Sequence, residues 1–300
     1  MSNKSSFVKF SFKTTADASA LLPSRPARSN KGSFGRVLCV CGSHGMAGAA
    51  YLCAKAAYRT GAGLVEIFTH ESNRIPLQTL LPEAIVTSYE EYSPDLLLSA
   101  VERADCVAAG CGLGVTSTSR AILSDLLRAV DTEKTPLVVD ADGLNLISRN
   151  PSLKKYLRGA VVTPHPAEMS RLTGKSVEEI LEDIPNTAYS FAASHGAVCV
   201  LKDHCTAVSD GGQRVYVNTT GNSGMATGGS GDVLTGIVAG LLAQKRSVGE
   251  RLLEDVALAV YLHGLCGDIA AGELSEYSVM ASDLTDAIPR AISKLLQKIK

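Results

Sequence analysis

The feature that most limits the fold of this chain is a series of short, predominantly apolar runs that do not alternate with polar residues and are interspersed with helix-like segments. RVLCVCG, residues 36–42, is one such run and stops at a glycine. LVEIFT, DCVAAG (105–110), PLVVDADG and AVCVLK repeat it, and AVVTPHPAE is predicted as strand followed by loop. Between them, MAGAAYLCAKAAYRTGAG predicts an Ala-rich helix that stops near Gly61, and helices are predicted over 117–129 and 176–195. TAVSDGGQRVYVN predicts a hairpin turning at Asp210–Gly211–Gly212, and the chain after Gly231 reads as long helical pieces. A strand with no polar face is buried on both sides. The pattern therefore predicts an α/β fold: three layers, α/β/α, around a mostly parallel central sheet.

In such sheets ligands bind beyond the carboxyl ends of the strands. The chemistry-bearing residues collect there: Gly110–Gly114, Asp140–Asn145, Thr163–Glu168 and Lys202–Thr206. No internal repeat, low-complexity tract or linker marks a second domain. The expectation is a short solvated leader, residues 1–20, and one domain over 21–298. The leader is basic and Ser-rich like a transit peptide, but has no continuous apolar stretch of a secretory signal. No run approaches the ~18 apolar residues of a membrane span. A formal net charge of −1 and the absence of Trp argue against nucleic acid and anionic membranes as partners.

One stretch stands apart. GNSGMATGGSGDVLTG, residues 221–236, holds six glycines and a single acid, Asp232, just before an apolar helical segment. A helix start has unpaired N–H groups and a partial positive charge, and glycines let a phosphate come close to them. An acid beside a phosphate is unfavourable unless it takes a proton from an attacking hydroxyl, the combination that phosphoryl transfer needs. The alternative is an ordinary first-turn acid favoured by the helix dipole.

Other phosphate-loop signatures fail. TGKS (173–176) has Met169 where a P-loop requires its first glycine, and GSHGMAG (42–48) is not G-x-G-x-x-G. In VVDADGLNLI, Asp140, Asp142 and Asn145 suit either a polar ligand with hydrated Mg2+ or capping of the next helix. In TPHPAE, prolines fix an extended backbone around His165, which suits a ligand contact; Glu168 fits an early-helix acid. Lys202 in LKDHCT suits a phosphate. His44, His70, His195, His204 and His263 read most simply as surface or structural. The eight cysteines form no C-x-x-C pair and mostly lie in apolar runs, as buried inert thiols of a reducing compartment do. Their spacing indicates no metal site.

Taken in order, LLPSRPARSNKGSFGRVLCVCGS, GMAGAAYLCAKAAYRTGAGLV, CGLG, VVDADGLN, TPHPAEMSRLTG, LKDHCT and GNSGMATGGSGDVLTGIVAGLLAQ closely resemble the ADP/ATP-dependent NAD(P)H-hydrate dehydratases of the ribokinase-like superfamily, over roughly residues 20–295. The resemblance implies a ribokinase-like fold and a cytoplasmic metabolite-repair enzyme, a homotetramer using Mg2+. Its substrates would be NADHX and NADPHX, the S epimer, in which water has added across the C5=C6 bond of the reduced nicotinamide ring. The hydrate hydroxyl would be phosphorylated, by ADP (giving AMP) or by ATP, with ADP favoured, and phosphate would then leave. Asp232 would be the base, and the backbone of Gly229, Ser230 and Gly231 the anion hole. Ala49, Gly114, His165, Asn145 and Asp232 fall at substrate positions, with Asp142 beside them. Lys202, Asp203, His204, Cys205, Thr206 and Gly231 fall at the adenine-nucleotide site. No metal ligand is assigned. Cys111 departs from the family's G-P-G-L-G. The chain is too short for the epimerase domain often fused to this family, so epimerase activity is not expected. The alternatives are a small-molecule kinase of the same superfamily, resembling hydroxyethylthiazole kinase, and a non-catalytic nucleotide sensor, which would gain nothing from Asp232.

Overall fold

The structure is a computed structural model, and it describes residues 7–245 and 252–297. Ten strands alternate with helices. The first half runs β1 (Val8–Phe10), α1 (Thr15–Ser19), β2 (Arg36–Val40), α2 (Ala47–Thr60), β3 (Leu64–His70), α3 (Arg74–Leu80), β4 (Ile85–Tyr89), α4 (Pro94–Glu102), β5 (Cys106–Ala109) and α5 (Ser117–Ala129). There follow β6 (Leu137–Val139), α6 (Asp142–Arg149), β7 (Val161–Val162), α7 (Pro166–Thr173), α8 (Val177–Glu182), α9 (Ile184–His195), β8 (Val198–Leu201), β9 (Ala207–Ser209), β10 (Arg214–Val217), α10 (Ser230–Lys245), α11 (Leu252–Leu274) and α12 (Ala281–Leu296).

The strands form one sheet in the order β1-β10-β9-β8-β7-β6-β5-β2-β3-β4. Only β9 runs against its neighbours, because the tight turn at Asp210–Gly212 reverses the chain. Every other pairing is parallel, as continuously apolar strands require. Strand order reverses between β2 and β5, so a crevice opens there at the carboxyl ends.

Both faces are covered, and β2 shows how. Val37, Cys39 and Cys41 face the layer of α2, α10, α11 and α12, while Leu38 and Val40 face the layer that includes α4, α5 and α9. Helix α10 is buried at every position from Val233 to Ala243, which explains a segment apolar all round. Gly236 and Gly240 lie against the α2 carbonyls of Cys53 and Ala57, where a side chain would overlap backbone. These two glycines set how closely α10 approaches α2.

Three expectations change. The leader carries β1, which pairs in parallel with β10. Phe10 and Phe12, two apart and so on one face, lie with ring centroids 5.4 and 5.0 Å from Tyr216. Residues 1–6 of that leader and the boundary at 298 fall outside the described residues. Residues 176–195 are two helices, broken at Asp183, whose carboxylate accepts a hydrogen bond from Asn186 N at 3.1 Å. Pro185 fits the break: it has no N–H to pair with Leu181 O in a continuous helix, and it sits in the first turn of the new one. The loop after β7 is short, because α7 begins at Pro166 with His165 as its cap. Among the described residues no helix is long and apolar enough to cross a membrane.

Candidate active site

The loops after β2 and β5 brace each other at the strand-order reversal. Gly42 N donates to Cys111 O at 2.9 Å, and Ser43 N to Gly112 O at 2.6 Å. Ala49, in the first turn of α2, packs against this brace: a Cβ on Gly112 would come within 2.8 Å of its methyl group. Gly114 has φ +74° and borders Ser43 and Ser119. Those serines help line a cavity of ≈ 780 Å3 with His44, His70, Tyr89 and Tyr92. A second cavity, of ≈ 560 Å3, includes Arg158, Gly159 and Gly196, at the opposite end of the sheet from the carboxylates.

Asp140, at the end of β6, is 1% exposed and fully engaged. Its Oδ1 accepts from Lys202 Nζ at 2.8 Å and from Ala141 N at 2.8 Å, and its Oδ2 from Thr235 Oγ1 at 2.8 Å. Ala141 has φ 47° and ψ −119°, a conformation normally left to glycine. Asp142 Oδ2 accepts from Gly114 N at 2.8 Å. Asn145 Nδ2 donates to Asp142 Oδ1 at 3.3 Å, and Arg171 Nε donates to Asn145 Oδ1 at 2.9 Å. Gly114, Asp142, Asn145 and Arg171 thus form one line.

At the start of α7, His165 Nδ1 accepts from Ala167 N at 3.2 Å, so the ring's hydrogen sits on Nε2, 3.4 Å from Glu168 Oε1. Burial, then Lys202 and Arg171, keep His165 below its ordinary value and hence neutral. Glu168 is buried; its Oε2 accepts from His165 N at 2.9 Å and lies 4.0 Å from Lys202 Nζ. Burial raises its carboxyl to about 6, with Lys202 opposing and Asp140 adding. Burial alone would lower Lys202, but Asp140 and Glu168 hold it above the usual lysine value. Lys202 is thus ion-paired with Asp140 beside Gly231. Asp203, His204, Cys205 and Thr206 occupy the loop from β8 to β9, where His204 and Cys205 are exposed and His204 Nδ1 lies 2.7 Å from Asp203 Oδ2.

Asp232 stands in the first turn of α10, half-buried, facing this network. Burial raises its carboxyl to about 6; the Cys111 thiol and Lys202 pull it down, while Asp140 and Asp142 push it up. Among the described residues the backbone N–H groups of Gly231 and Asp232 have no backbone acceptor, since the turn before them is closed by Ser230 N on Thr227 O and Val233 N on Gly229 O. Gly229 reaches this turn with φ +93°. A weakly held acid thus sits beside open N–H donors, an arrangement suited to taking a proton while an anion is held.

Four participants escaped the sequence reading. Thr235 lies three residues after Asp232, on its helix face, and Arg171 three after Glu168, so helical spacing was an available signal. Ala141 offered none. His263, read as surface or structural, comes from α11 to put Nε2 3.3 Å from Ser230 Oγ, at the cradle. Burial lowers it to about 4, so it is neutral.

Asp142, Asn145 and Asp232 bring side-chain oxygens to the site. Asp140 and Asp142 already accept hydrogen bonds on both oxygens. This suits a hydrated Mg2+ carried mainly by a ligand's phosphates better than a dedicated cage.

Comparison with known proteins follows the same line. A family profile described as NAD(P)H-hydrate dehydratase matches residues 37–290. The bifunctional NAD(P)H-hydrate repair enzyme Nnr of Moorella thermoacetica is 38% identical over 96% of this chain and 54% of its own length. The ADP-dependent (S)-NAD(P)H-hydrate dehydratase of Enterococcus faecalis is 36% identical over 92% of this chain and 91% of its own. A Bacillus subtilis ADP/ATP-dependent NAD(P)H-hydrate dehydratase, crystallised with ATP and Mg2+, superposes with TM-score 0.78 at 30% identity, covering 94% of this chain and 97% of that one. The chain spans about half the length of the bifunctional relatives it matches.

Proposed function

The chain belongs to the NAD(P)H-hydrate dehydratase family, and from that membership and its site we propose that it restores NADH and NADPH from their S hydrates at the expense of an adenine nucleotide, ADP in the first instance. The observation that carries this is Asp232, raised to about 6 and set in a helix start with open N–H groups. Near neutral pH such a carboxyl is mostly ionised yet basic enough to take a proton.

The hydrate hydroxyl gives its proton to Asp232 as its oxygen bonds to the terminal phosphorus, and the bond from that phosphorus to the bridging oxygen breaks. The N–H groups at the start of α10, with Lys202 behind Gly231, stabilise the charge on the moving phosphoryl group. The C–O bond then breaks as the ring nitrogen pushes out phosphate, and loss of a proton from the neighbouring carbon restores C5=C6. Asp142 and Asn145 would help hold Mg2+, which would neutralise phosphate charge. Ala49, Gly114, Asn145 and His165 fit the substrate side. The cavity beside Gly114 offers room for the rest of a dinucleotide. Gly231 and the Lys202–Thr206 loop fit the nucleotide side. Homotetramer assembly, a cytoplasmic setting and a catalytic domain extending to 298 belong to the same proposal.

The test is incubation with NADHX, Mg2+ and ADP or ATP, following the absorbance of reduced nicotinamide. Recovery with ADP supports the proposal. A stable phosphorylated product would instead indicate a kinase, and nucleotide binding with no turnover a sensor.

A further inference from the structure

The cysteines that looked inert one by one are not separate in space. Cys39 and Cys41 point to one face of β2, Cys53 lies on α2 packed over that face, and Cys111 follows β5. The Sγ atoms of Cys41, Cys53 and Cys111 all lie within 4.8 Å of one another. All three residues are 0% exposed, and Cys53 Sγ lies a further 3.8 Å from Cys39 Sγ. The cluster also borders the site: Cys111 belongs to the loop after β5 that accepts from Gly42 N, and its thiol draws the Asp232 carboxyl down. Sequence spacing cannot reveal this group, since its members come from a strand, a helix and a loop.

We propose that Cys41, Cys53 and Cys111 form a binding site for one Zn2+ ion behind Asp232, and that its occupancy shuts down the site. Three thiolates favour a thiophilic cation. With a divalent ion the buried cluster carries one net negative charge, whereas a monovalent ion would leave two, at a higher desolvation cost. Zinc accepts three protein ligands and an open fourth position. Tetrahedral Zn–S bonds of ~2.3 Å bring sulfurs to roughly 3.8 Å apart, a contraction of about 1 Å at most from the present separation. Hydrogen bonds among the thiols, and then burial, keep the free thiols protonated. Binding therefore releases three protons to solvent as three sulfur–zinc bonds form, with no change of oxidation state. The Cys111 thiol that lowers the Asp232 carboxyl becomes a thiolate, and negative charge appears beneath the N–H groups that would hold phosphate.

The experiment uses the whole protein, reduced and free of metal. Titration with Co2+, a spectroscopic stand-in for Zn2+, should give the intense visible bands of a tetrahedral cobalt–thiolate centre at one equivalent, and Zn2+ should bleach them. Cys53→Ala and Cys41→Ala, each checked for cooperative thermal unfolding, should lose the bands. In the turnover assay with excess Mg2+, micromolar Zn2+ should abolish wild-type activity and be at least tenfold less potent on both variants. This last arm rests on the proposed reaction, but the cobalt spectrum does not, so failure of one is distinguishable from failure of the other. Absence of thiolate bands in the wild type, or equal bands in the variants, would overturn the site. Equal zinc sensitivity of wild type and variants would overturn its link to activity.

Discussion

Lys202 Nζ lies 2.8 Å from Asp140 Oδ1, joining the ends of β8 and β6 beneath the first turn of α10. Both groups are largely buried, and Thr235 and Ala141 supply the remaining bonds to the carboxylate. Removing one member of such a pair leaves a charge stranded, at about 3–5 kcal/mol. Asp140→Ala should cost that much in chemical denaturation, because the other carboxylate near Lys202, Glu168, is 4.0 Å away. Lys202→Met should cost less, since Asp140 keeps two donors. The double-mutant cycle should give a coupling above roughly 1 kcal/mol. Additive losses would mean the pair acts as two independent groups.

Asp232→Asn should separate chemistry from binding. The amide keeps the shape of the first turn but cannot accept the proton. Turnover should drop by a factor on the order of 10² or more, within the span typical of general-base loss, while calorimetric nucleotide affinity stays within a few-fold. Near-normal turnover would remove Asp232 as the base.

The same variant should be more stable than the parent at neutral pH. Folding raises this carboxyl to about 6 from an ordinary aspartate value, so the folded chain disfavours its charged form. The group's stabilising contribution is thus full in acid and is lost as pH rises through about 6. Asp232→Asn should gain about 1–3 kcal/mol at pH ~7.5, and the difference should vanish near pH ~4. A thermal-melt series across pH measures this, and a destabilised variant at neutral pH would contradict it.

How much of this was legible in the sequence follows from range. Strands buried on both faces announce themselves locally, so β2, β3, β5, β6 and β8 were readable, as was the glycine-rich start of α10. β1 was missed because its order comes from Tyr216 and β10, some two hundred residues away. Asp140 and Lys202 were each visible as strand-end residues, but their pairing depends on β6 and β8 flanking β7. His263 was missed because nothing in a long apolar helix marks which turn will face Ser230. The three-thiol cluster needed β2, α2 and the β5 loop to meet.

Acid should silence the enzyme over the range where Asp232 takes up its proton. If the ionised form is the base, turnover should fall about tenfold per pH unit below about 6. Glu168 titrates in the same region, so the profile of Glu168→Gln decides between them. Retention of the acid limb in Glu168→Gln assigns it to Asp232; its disappearance would assign it to Glu168.

Ala141 holds φ 47° and ψ −119° between Asp140 and Asp142. A residue with a side chain in such a region stores about 1–3 kcal/mol of strain. Glycine relieves that strain but loses roughly 0.5–1 kcal/mol in unfolded-state entropy. Ala141→Gly should therefore stabilise the protein by about 0.5–2 kcal/mol in urea unfolding. It should also loosen the turn that aims two carboxylates at the site, so turnover should fall several-fold while stability rises. Ala141→Val should do the opposite to stability, because a β-branched side chain tolerates positive φ least. A glycine variant less stable than the parent would show that the turn is not strained.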